Sequence, residues 1–497
     1  MGYRKKKKTS KKGKSGGKVM VIFMAALLLI LCVALLAVSR DWTQGSSSTV
    51  PLVEMADGAG ADGETEGSRK ETETGNAGNT AAEAGGDTEN AGSSGMGSGE
   101  SSENSENEGA AGTGTDGNPD TAGTGSTGTE TGGSSSGTAS SSESSSDEVE
   151  EQAREILSTM TLKEQVYQLF IVKPEQLTGV SVATQAYEVT GQALAGYPVG
   201  GIVYFAANIL TREQCSTMIT NSQSYSEIGL FIAVDEEGGT VARVGNNSAM
   251  GTTSFPNMKT IGDTGDTDNA YNVGCTIGTE LSELGFNLDF APVADVDSNP
   301  DNPVIGDRAF SSDADAASAM VSAAVEGFHD GGILCTLKHF PGHGDTATDS
   351  HEGYTELDKS LDELRQVEFM PFEGGISAGA DFVMVGHISV PQVTGDDLPA
   401  TLSAVLISIL RNDLGFEGLI ITDSMQMEAI TDRYTSGEAA VMAIQAGVDM
   451  ILMPENLQEA AQGVIDAVES GQISRERIEE SVLRILETKI RAGIISE

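Results

Sequence analysis

One short stretch of the chain, residues 338–351 (KHFPGHGDTATDSH), contains three of its five histidines. It ends with Asp349 and His351, and in an extended segment side chains two positions apart point the same way. The carboxylate could therefore orient the imidazole and favour its protonated form, which suits a proton donor near neutral pH. An Asp-x-His pair taken alone is more often two residues of a surface loop, so this alternative stays open.

The same segment also allows a metal site. His339, His343 and His351, together with Asp345, are residue types that bind metal ions. His339 and His343 have the spacing of neighbours on one helical face, but Pro341 and the adjacent glycines disfavour a helix there. Metal-dependent barrel hydrolases usually carry an H-x-H at the end of their first strand, and the segment LFIVKPEQ has none. We therefore predict a site that uses neither a metal nor another cofactor.

A second candidate for chemistry is Asp423, which ends the apolar run in IITDSMQM. A partly desolvated carboxylate at the end of a buried strand can act as a nucleophile or stabilise a neighbouring positive charge. The alternative is a structural aspartate that caps the next helix by accepting its N–H groups.

Eight short apolar runs, each followed by a longer segment of helical pattern, could position these residues. Several runs are apolar throughout, as expected for parallel strands that helices cover. The repeat predicts an α/β fold, a (β/α)8 TIM-type barrel forming a single catalytic domain. A doubly wound open sheet is the alternative, but no GxGxxG follows an early strand. The runs are residues 169–172, 200–205, 230–235, 287–293, 333–339, 381–387, 418–423 and 448–454.

Polar residues recur at or just after the ends of these predicted strands. In a barrel the carboxyl ends of the strands converge on one face, where catalytic loops lie. The repetition over several strands therefore predicts a polar pocket. The residues are Asp235, Asp289, Asp295, Lys338, His339, His387 and Asp423.

The charge of the predicted domain excludes one class of partner. From residue 147 onward there are 55 acidic and 17 basic residues. Nucleic-acid binding needs clustered Lys and Arg to neutralise phosphates, so we expect no nucleic acid. Three cysteines outside the first 40 residues are too few and too widely spaced for a disulfide framework or a thiolate metal site.

The first 146 residues differ from the rest in composition. Residues 1–18 carry nine Lys or Arg and no acid, and residues 19–38 form an uninterrupted apolar run. A run of 20 apolar residues can cross a bilayer as a helix and exceeds the apolar core of a usual signal peptide. We therefore predict a cytoplasmic basic tail, a retained transmembrane anchor and an extracellular remainder. Cleavage near Ser39 is the alternative and would release a secreted protein.

Residues 39–146 are predicted to be a disordered, acidic linker. They consist almost entirely of Gly, Ser, Thr, Ala, Asn and acidic residues, with Trp42 as the single aromatic residue. Such a segment cannot bury enough apolar area to offset its conformational entropy. The predicted organisation is therefore a tether that holds a domain at 147–497 away from a membrane.

From about residue 150 to 497 the chain resembles a known family. The resemblance is to glycoside hydrolase family 3, in particular to its β-N-acetylglucosaminidase (NagZ-like) branch, and implies a single barrel domain. KHFPGHGDT followed by DSH marks this branch, in which a histidine on this loop acts as general acid and base. The motifs that carry the resemblance are GGIVYFAANI, VDEEGGTVARV, GFNLDFAPVADV, IGDRAF, KHFPGHGDTATDSH and ITDSMQM.

The resemblance implies a retaining double displacement. Asp423 would attack the anomeric carbon, His351 would act as general acid and then as general base, and Asp349 would orient His351. Five other positions match those that hold the N-acetylglucosamine at the non-reducing end. They are Asp235, Arg243, Arg308, Lys338 and His339. His343 and Asp345 are expected to shape the loop, and His387 to line the pocket.

The expected function is that of an anchored exo-β-N-acetylglucosaminidase, a monomer acting on peptidoglycan fragments or other glycans outside the cell. One departure from the family pattern is Glu236, which is expected to add acid beside the pocket. A family 3 β-glucosidase or a phosphorolytic variant is an alternative enzyme. A barrel kept only to bind cell wall or glycan is the alternative without catalysis.

Overall fold

The computed structural model describes residues 139–350 and 353–496. The predicted basic tail, the predicted anchor, most of the predicted linker and His351 therefore lie outside the described residues. Within these ranges, no helix combines the length and the apolar character needed to cross a membrane. The first helix, Ala139–Thr159, begins before residue 147, where the sequence predicts the domain to start.

Eight strands form one sheet, and each lies within one of the eight predicted runs or extends it by a single residue. Neighbouring strands are parallel. Their side chains are almost wholly buried, which accounts for the continuous apolar runs in the sequence. The strands are β1 (Phe170–Val172), β2 (Gly201–Val203), β3 (Phe231–Val234), β4 (Leu288–Asp289), β5 (Leu334–Phe340), β6 (Phe382–Val385), β7 (Leu419–Thr422) and β8 (Ile451–Leu452).

The strand order follows the chain, and the sheet curls back on itself. β8 pairs with β1, and a parallel bridge between Ile421 and Met450 joins β7 to the residue before β8. The backbone N–H of Thr422 also donates to the carbonyl of Met450 at 3.1 Å. The architecture is thus that of an α/β barrel, as predicted, with a short last pair.

The helices surround the sheet, and several begin at a signal readable in the sequence. A Thr or Ser with Glu or Gln three positions later forms a capping box at four helices, starting with Thr161 and Thr211. The helices are α1 (Ala139–Thr159), α2 (Leu162–Gln168), α3 (Pro174–Thr178), α4 (Glu188–Gly196), α5 (Arg212–Ser224), α6 (Met258–Gly262), α7 (Thr267–Leu284), α8 (Ala314–Asp330), α9 (Leu361–Gln366), α10 (Phe369–Ser377), α11 (Pro391–Thr394), α12 (Ala404–Ser408), α13 (Glu428–Thr431), α14 (Ser436–Ala446), α15 (Leu457–Glu469) and α16 (Arg475–Arg491).

Two small strand pairs shape loops at the carboxyl ends of the barrel strands. Glu236–Gly238 pairs antiparallel with Val241–Ala242, directly after β3. The turn between them needs Gly239, since its φ is 59° and a Cβ there would lie 2.1 Å from Asn257 Oδ1. Thr355–Glu356 pairs parallel with Ile388–Ser389, which fastens the end of the long loop after β5 to the segment after β6.

Candidate active site

A cavity of about 810 Å³ opens at the carboxyl ends of the barrel strands. The structure brings six of the eight predicted site residues to its wall. Asp349 does not line it, although its neighbour Ser350 does, and His351 lies outside the described residues. The six residues are Asp235, Arg243, Arg308, Lys338, His339 and Asp423.

The three acids after β3 alternate in direction. Asp235 and Glu237 line the cavity, whereas the carboxylate of Glu236 accepts the backbone N–H groups of Val244 at 2.7 Å and Gly245 at 2.8 Å. The expectation that Glu236 adds acid beside the pocket is therefore wrong, because its carboxylate bonds to the backbone of its own loop and does not line the cavity. Glu237 lines the cavity instead, and the sequence analysis missed it although it lies two positions after Asp235 in extended backbone.

Lys338 lies between the two cavity carboxylates. Its ammonium is 2.8 Å from Asp235 Oδ1 and 2.6 Å from Glu237 Oε1, and its side chain is 2% exposed. Glu237 also accepts two hydrogen bonds from Arg308, at 2.8 Å to Nε and 2.7 Å to Nη2. This fork-to-fork contact fixes the guanidinium plane as well as its charge. Two cations and two anions thus form one connected group on the β3–β5 side of the cavity.

Opposite charges in this group keep one another ionised despite their burial. Burial raises the pKa of Glu237, but Lys338 and Arg308 outweigh it and bring the pKa down to about 2. Burial likewise lowers the pKa of Lys338, and Asp235 and Glu237 reverse that effect and raise it. Glu237 and Lys338 are consequently ionised near neutral pH, and Lys338 is held as a permanent hydrogen-bond donor.

Arg243 is held more loosely. Its Nη2 lies 3.8 Å from Asp235 Oδ2, and its guanidinium lies 5.8 Å from the centroid of the Phe205 ring. Its buried Nε has no hydrogen-bond partner among the described residues. A buried donor without a partner is costly, so a ligand atom that accepts from Arg243 would remove that cost.

His339 is oriented by Asp295, which is almost fully buried. The distance from His339 Nδ1 to Asp295 Oδ2 is 2.8 Å, and Asp295 Oδ1 accepts the backbone N–H groups of His339 at 3.1 Å and His343 at 2.7 Å. Asp295 thus joins the end of β5 to the loop that follows it. Such support fixes the direction of the imidazole toward the cavity.

His343 shapes the loop after β5, as predicted. Its Nδ1 lies 2.6 Å from Thr346 Oγ1 and its Nε2 lies 3.0 Å from Ser350 Oγ, so both nitrogens bond within the loop. Burial and the neighbouring His339 lower the pKa of His343, which favours a neutral imidazole. Asp345 also serves the loop, with its carboxylate 2.9 Å from the ammonium of Lys359.

Asp423 follows β7 directly and lines the cavity half-buried. Its backbone N–H donates to the carbonyl of Val385 at 2.9 Å, and its Oδ1 accepts from the backbone N–H of Ser424 at 2.6 Å. The carbonyl of Ser424 in turn accepts from Nε2 of His387 at 2.9 Å. These contacts anchor the nucleophile candidate to β6 and to the segment beyond it.

Three of the seven polar strand-end residues lie behind the cavity wall and do not line it. His387, expected in the pocket, is buried under Ser424, so that expectation is wrong. Asp289 accepts the backbone N–H of Glu236 at 2.9 Å, and burial raises its pKa well above the ordinary value. Together with Asp295, these residues support the site without facing it.

Comparison with known proteins then places the chain in a family. The sequence profile of the Glycosyl hydrolase family 3 N terminal domain matches residues 161–488. The chain belongs to glycoside hydrolase family 3. Beta-hexosaminidase A of Pseudoalteromonas piscicida is 35% identical to it over 331 residues, which cover 60% of this chain and 54% of that protein.

Two further similarities are to proteins named as a beta-hexosaminidase and a beta-N-acetylglucosaminidase. Beta-hexosaminidase LpqI of Mycobacterium tuberculosis is 33% identical over 344 residues, covering 67% of this chain and 84% of that protein. A solved family 3 beta-N-acetylglucosaminidase from a Paenibacillus species superposes with a TM-score of 0.64 at 37% identity, over 68% of this chain and 64% of that one. The chain thus spans between about half and five-sixths of the length of these relatives.

The cavity also extends beyond the predicted residues, to the loops that follow β1 and β7. Lys173 and Glu175 follow β1, and Gln426 and Glu428 follow Asp423 on the same wall. The ammonium of Lys173 donates to Gln426 Oε1 at 2.8 Å, which ties the two loops together. Sequence analysis assigned no role to any of these four residues.

Proposed function

We propose that this family 3 glycoside hydrolase is a retaining exo-β-N-acetylglucosaminidase. The observation that carries the proposal is the joint position of six predicted site residues on one cavity wall, with Asp423 at the carboxyl end of β7. The names of the relatives support the choice of sugar. Peptidoglycan fragments and related glycans that end in β-linked N-acetylglucosamine are the proposed substrates.

The β3–β5 side of the cavity would hold the terminal sugar. Asp235 can accept hydrogen bonds from sugar hydroxyls, and the ammonium of Lys338 can donate to them. Arg243 offers a donor that has no partner among the described residues, which suits a hydroxyl or acetamide oxygen. A chain end, with its free hydroxyls, is the part of a glycan that these donors and acceptors would bind.

The reaction proceeds in two displacements. Asp423 attacks the anomeric carbon while the bond to the leaving oxygen breaks, and His351 gives that oxygen its proton. Water then attacks the anomeric carbon of the glycosyl-Asp423 ester, His351 takes a proton from the water, and the carboxylate of Asp423 is released. Asp349 orients His351 and stabilises its protonated form, as the Asp-x-His spacing suggests.

The test uses the full chain and two chromogenic substrates, the p-nitrophenyl β-glycosides of N-acetylglucosamine and of glucose, with EDTA present. We expect preferential cleavage of the N-acetyl substrate, without loss of rate on metal removal. A 5-fluoro-N-acetylglucosaminyl fluoride should label the peptide that contains Asp423, as seen by mass spectrometry. Labelling of a different carboxylate would overturn the assigned nucleophile.

The same assay separates the alternatives left open by the sequence. Faster cleavage of the glucoside would assign a β-glucosidase. Formation of N-acetylglucosamine 1-phosphate when inorganic phosphate is added would assign a phosphorolytic enzyme. Glycan binding by a folded sample that cleaves neither substrate would assign a binding barrel.

The proposal includes a location that rests on the sequence of the first 146 residues. Residues 19–38 would anchor the chain, with the barrel outside the cell and acting as a monomer. Protease treatment of intact cells should then remove the barrel from the membrane fraction. A barrel protected from protease would contradict this topology, and light scattering of the detergent-solubilised chain would measure its oligomeric state.

A further inference from the structure

Three side chains that the proposed reaction does not use meet near the amino ends of the barrel strands. His329 lies in the last turn of α8, Cys335 is the second residue of β5, and Asp381 directly precedes β6. One ligand atom from each lies within 4.8 Å of the other two. In the part of the chain that the structure describes, no other group of His, Cys, Asp and Glu brings three such atoms together in this way.

The thiol and the carboxylate face the same nitrogen of the imidazole. His329 Nε2 lies 2.9 Å from Asp381 Oδ2 and 3.9 Å from Cys335 Sγ. In a catalytic Cys–His–Asp arrangement, the nucleophile and the carboxylate bond to opposite ring nitrogens, so that the carboxylate orients the base. A sulfur, a nitrogen and an oxygen that converge on one point are instead arranged like the ligands of a single ion.

The separations of these atoms are close to those of a zinc site. With Zn–S of about 2.3 Å and Zn–N and Zn–O of about 2.0–2.2 Å, tetrahedral ligand atoms lie about 3.4–3.6 Å apart. The distance from sulfur to nitrogen, 3.9 Å, and that from nitrogen to oxygen, 2.9 Å, fall on either side of this range. Shifts of about 0.5 Å, within reach of small side-chain rotations, would bring all three atoms to one ion.

The backbone already holds the three residues together. Gly332 has a φ of 80°, so the chain turns sharply after α8 and brings Cys335 back against His329. Asp381 Oδ2 also accepts the backbone N–H of Cys335 at 3.0 Å, which ties the residue before β6 to β5. Carboxylates that bind metals usually have such an additional hydrogen bond, which fixes their direction.

The group lies apart from the active-site cavity and is accessible to solvent. Cys335 is buried, whereas the side chains of His329 and Asp381 are 33% and 21% exposed, so an ion could enter past them. Side chains alternate along a strand, so Cys335 and Lys338, three positions apart, point to opposite faces of β5. Lys338 lines the cavity, and Cys335 faces the covering helix α8. An ion bound here would therefore not contact the substrate.

We propose that His329, Cys335 and Asp381 bind one Zn²⁺, with water as the fourth ligand. The thiolate and the carboxylate would balance the charge of the ion, and the proton of the thiol would pass to water. One thiolate with one imidazole and one carboxylate favours Zn²⁺ over Ca²⁺ and Mg²⁺, which prefer oxygen ligands.

The ion would join α8, β5 and β6 and so stabilise the barrel independently of the proposed activity. A site with a single thiolate also does not depend on the spacing between cysteines, on which the sequence analysis excluded a thiolate site.

The test adds Co²⁺ or Zn²⁺ to the detergent-solubilised full chain after treatment with a chelator. Co²⁺ bound through a thiolate gives a charge-transfer band in the near ultraviolet. We expect this band to saturate at one ion per chain and to disappear when Zn²⁺ is added. Zn²⁺ at about 100 times its Kd should raise the Tm by about 4 °C, and the same concentration of Mg²⁺ should not. An unchanged spectrum and Tm would overturn the proposal.

Variants locate the ion. Cys335→Ser should abolish the band, and His329→Gln should weaken Zn²⁺ binding at least about tenfold. Because glutamine can still donate to Asp381, His329→Gln tests the site even where Cys335→Ser fails to fold. Cys215→Ser replaces an equally buried cysteine outside the group and is the matched control, which should keep the band. A band that persists in Cys335→Ser, or one that is lost in Cys215→Ser, would overturn the assignment.

An activity measurement separates this site from a catalytic metal. Well below the Tm, EDTA should leave the initial rate on the p-nitrophenyl substrate unchanged while it lowers the Tm. A rate that EDTA abolishes and Zn²⁺ restores equally in the native chain and in His329→Gln would place the ion in the cavity and overturn the proposal. The spectrum and the Tm require no turnover, so they test this site even if the chain hydrolyses no glycoside.

Discussion

Aspartates hold cations at both ends of the barrel strands, but in different ways. At the amino end, Asp449 is fully buried and accepts four hydrogen bonds. Arg411 Nη2 at 2.6 Å and the backbone N–H of Ile420 at 3.0 Å donate to its Oδ2. Ser481 Oγ at 2.6 Å and Arg484 Nη1 at 3.1 Å donate to its Oδ1. Each carboxylate oxygen therefore has two partners within the fold.

At the carboxyl end, Asp235 is less completely satisfied. Its side chain is 18% exposed, one oxygen accepts from Lys338, and the other lies 3.8 Å from Arg243. An ion pair whose donors and acceptors are all used within the protein, as at Asp449, contributes to stability. An ion pair that keeps unused donors or acceptors beside a cavity, as at Asp235, can also bind a ligand.

The largest effect is expected at the carboxyl ends of the strands, from Asp423→Asn. The amide cannot form the glycosyl ester, so kcat on the p-nitrophenyl N-acetylglucosaminide should fall by about 10⁴-fold. The melting temperature should change little, because the side chain is half-buried at the cavity wall. Asp301→Asn, on an exposed loop, is the control and should keep both activity and stability. Retention of a tenth of the activity by Asp423→Asn would refute its role.

The next largest effect is expected at the amino ends of the strands, from Asp449→Ala. Removing one partner of a buried ion pair leaves Arg411 and Arg484 without their common anion, which should cost about 3–5 kcal/mol of unfolding free energy. Asp413→Ala breaks the exposed pair with Arg365 and should cost at most about 1 kcal/mol. Chemical denaturation followed by circular dichroism measures both. Equal losses in the two variants would remove the distinction between the two ends.

Glu237→Gln tests whether the ion-paired group beside the cavity positions Lys338 and Arg308 for the substrate. The substitution keeps the shape but removes the charge that faces Lys338 and Arg308, so kcat/KM should fall about 10- to 100-fold, mainly through KM. A purely structural role would lower the melting temperature and leave KM unchanged.

The pH dependence of stability offers a second readout for Glu237. Its pKa of about 2 lies below the ordinary 4.5, so its ion pairs stabilise the fold fully above pH 4.5. This contribution is lost as the pH falls through about 2. Acid unfolding should therefore be less steep in Glu237→Gln, and an identical acid transition would contradict the ion-pair assignment.

The smallest effect concerns Lys489, near the amino end of β1. Burial lowers its pKa to about 7, and its ammonium bonds to Gln168 Oε1 at 2.8 Å. Between pH 7 and about 10 the unfolded chain binds this proton more readily, so stability should rise with pH in that window. Lys489→Met should flatten the rise in melting temperature, although an unpaired Gln168 oxygen lowers its overall stability. The same slope in both proteins would show that Lys489 does not titrate there.

The sequence predicted the eight strands because their continuous apolar runs reflect burial on both faces of a parallel sheet. It also predicted six of the residues that line the cavity, since polar residues such as Asp235, Lys338 and Asp423 lie at or near the ends of these runs. It could not tell which strand-end side chains face the cavity. Asp289 and Asp295 were grouped with residues of the wall, because the direction of a side chain depends on the pleat near a strand end.

Glu237 could have been found by applying the two-residue alternation to Asp235. Lys173 could not, because its partner Gln426 is 253 positions away and such a contact appears only in the folded chain.

The loop after β3 closes upon itself through its own backbone. The N–H of Arg243 donates to the carbonyl of Asp235 at 3.3 Å, and the carboxylate of Glu236 accepts the N–H groups of Val244 and Gly245. Residues 235–245 therefore close their own turn, while Asn257, Lys338 and Arg308 hold the loop to the rest of the barrel. An exchange of this loop between related barrels, by recombination or by engineering, would have to carry those three residues with it.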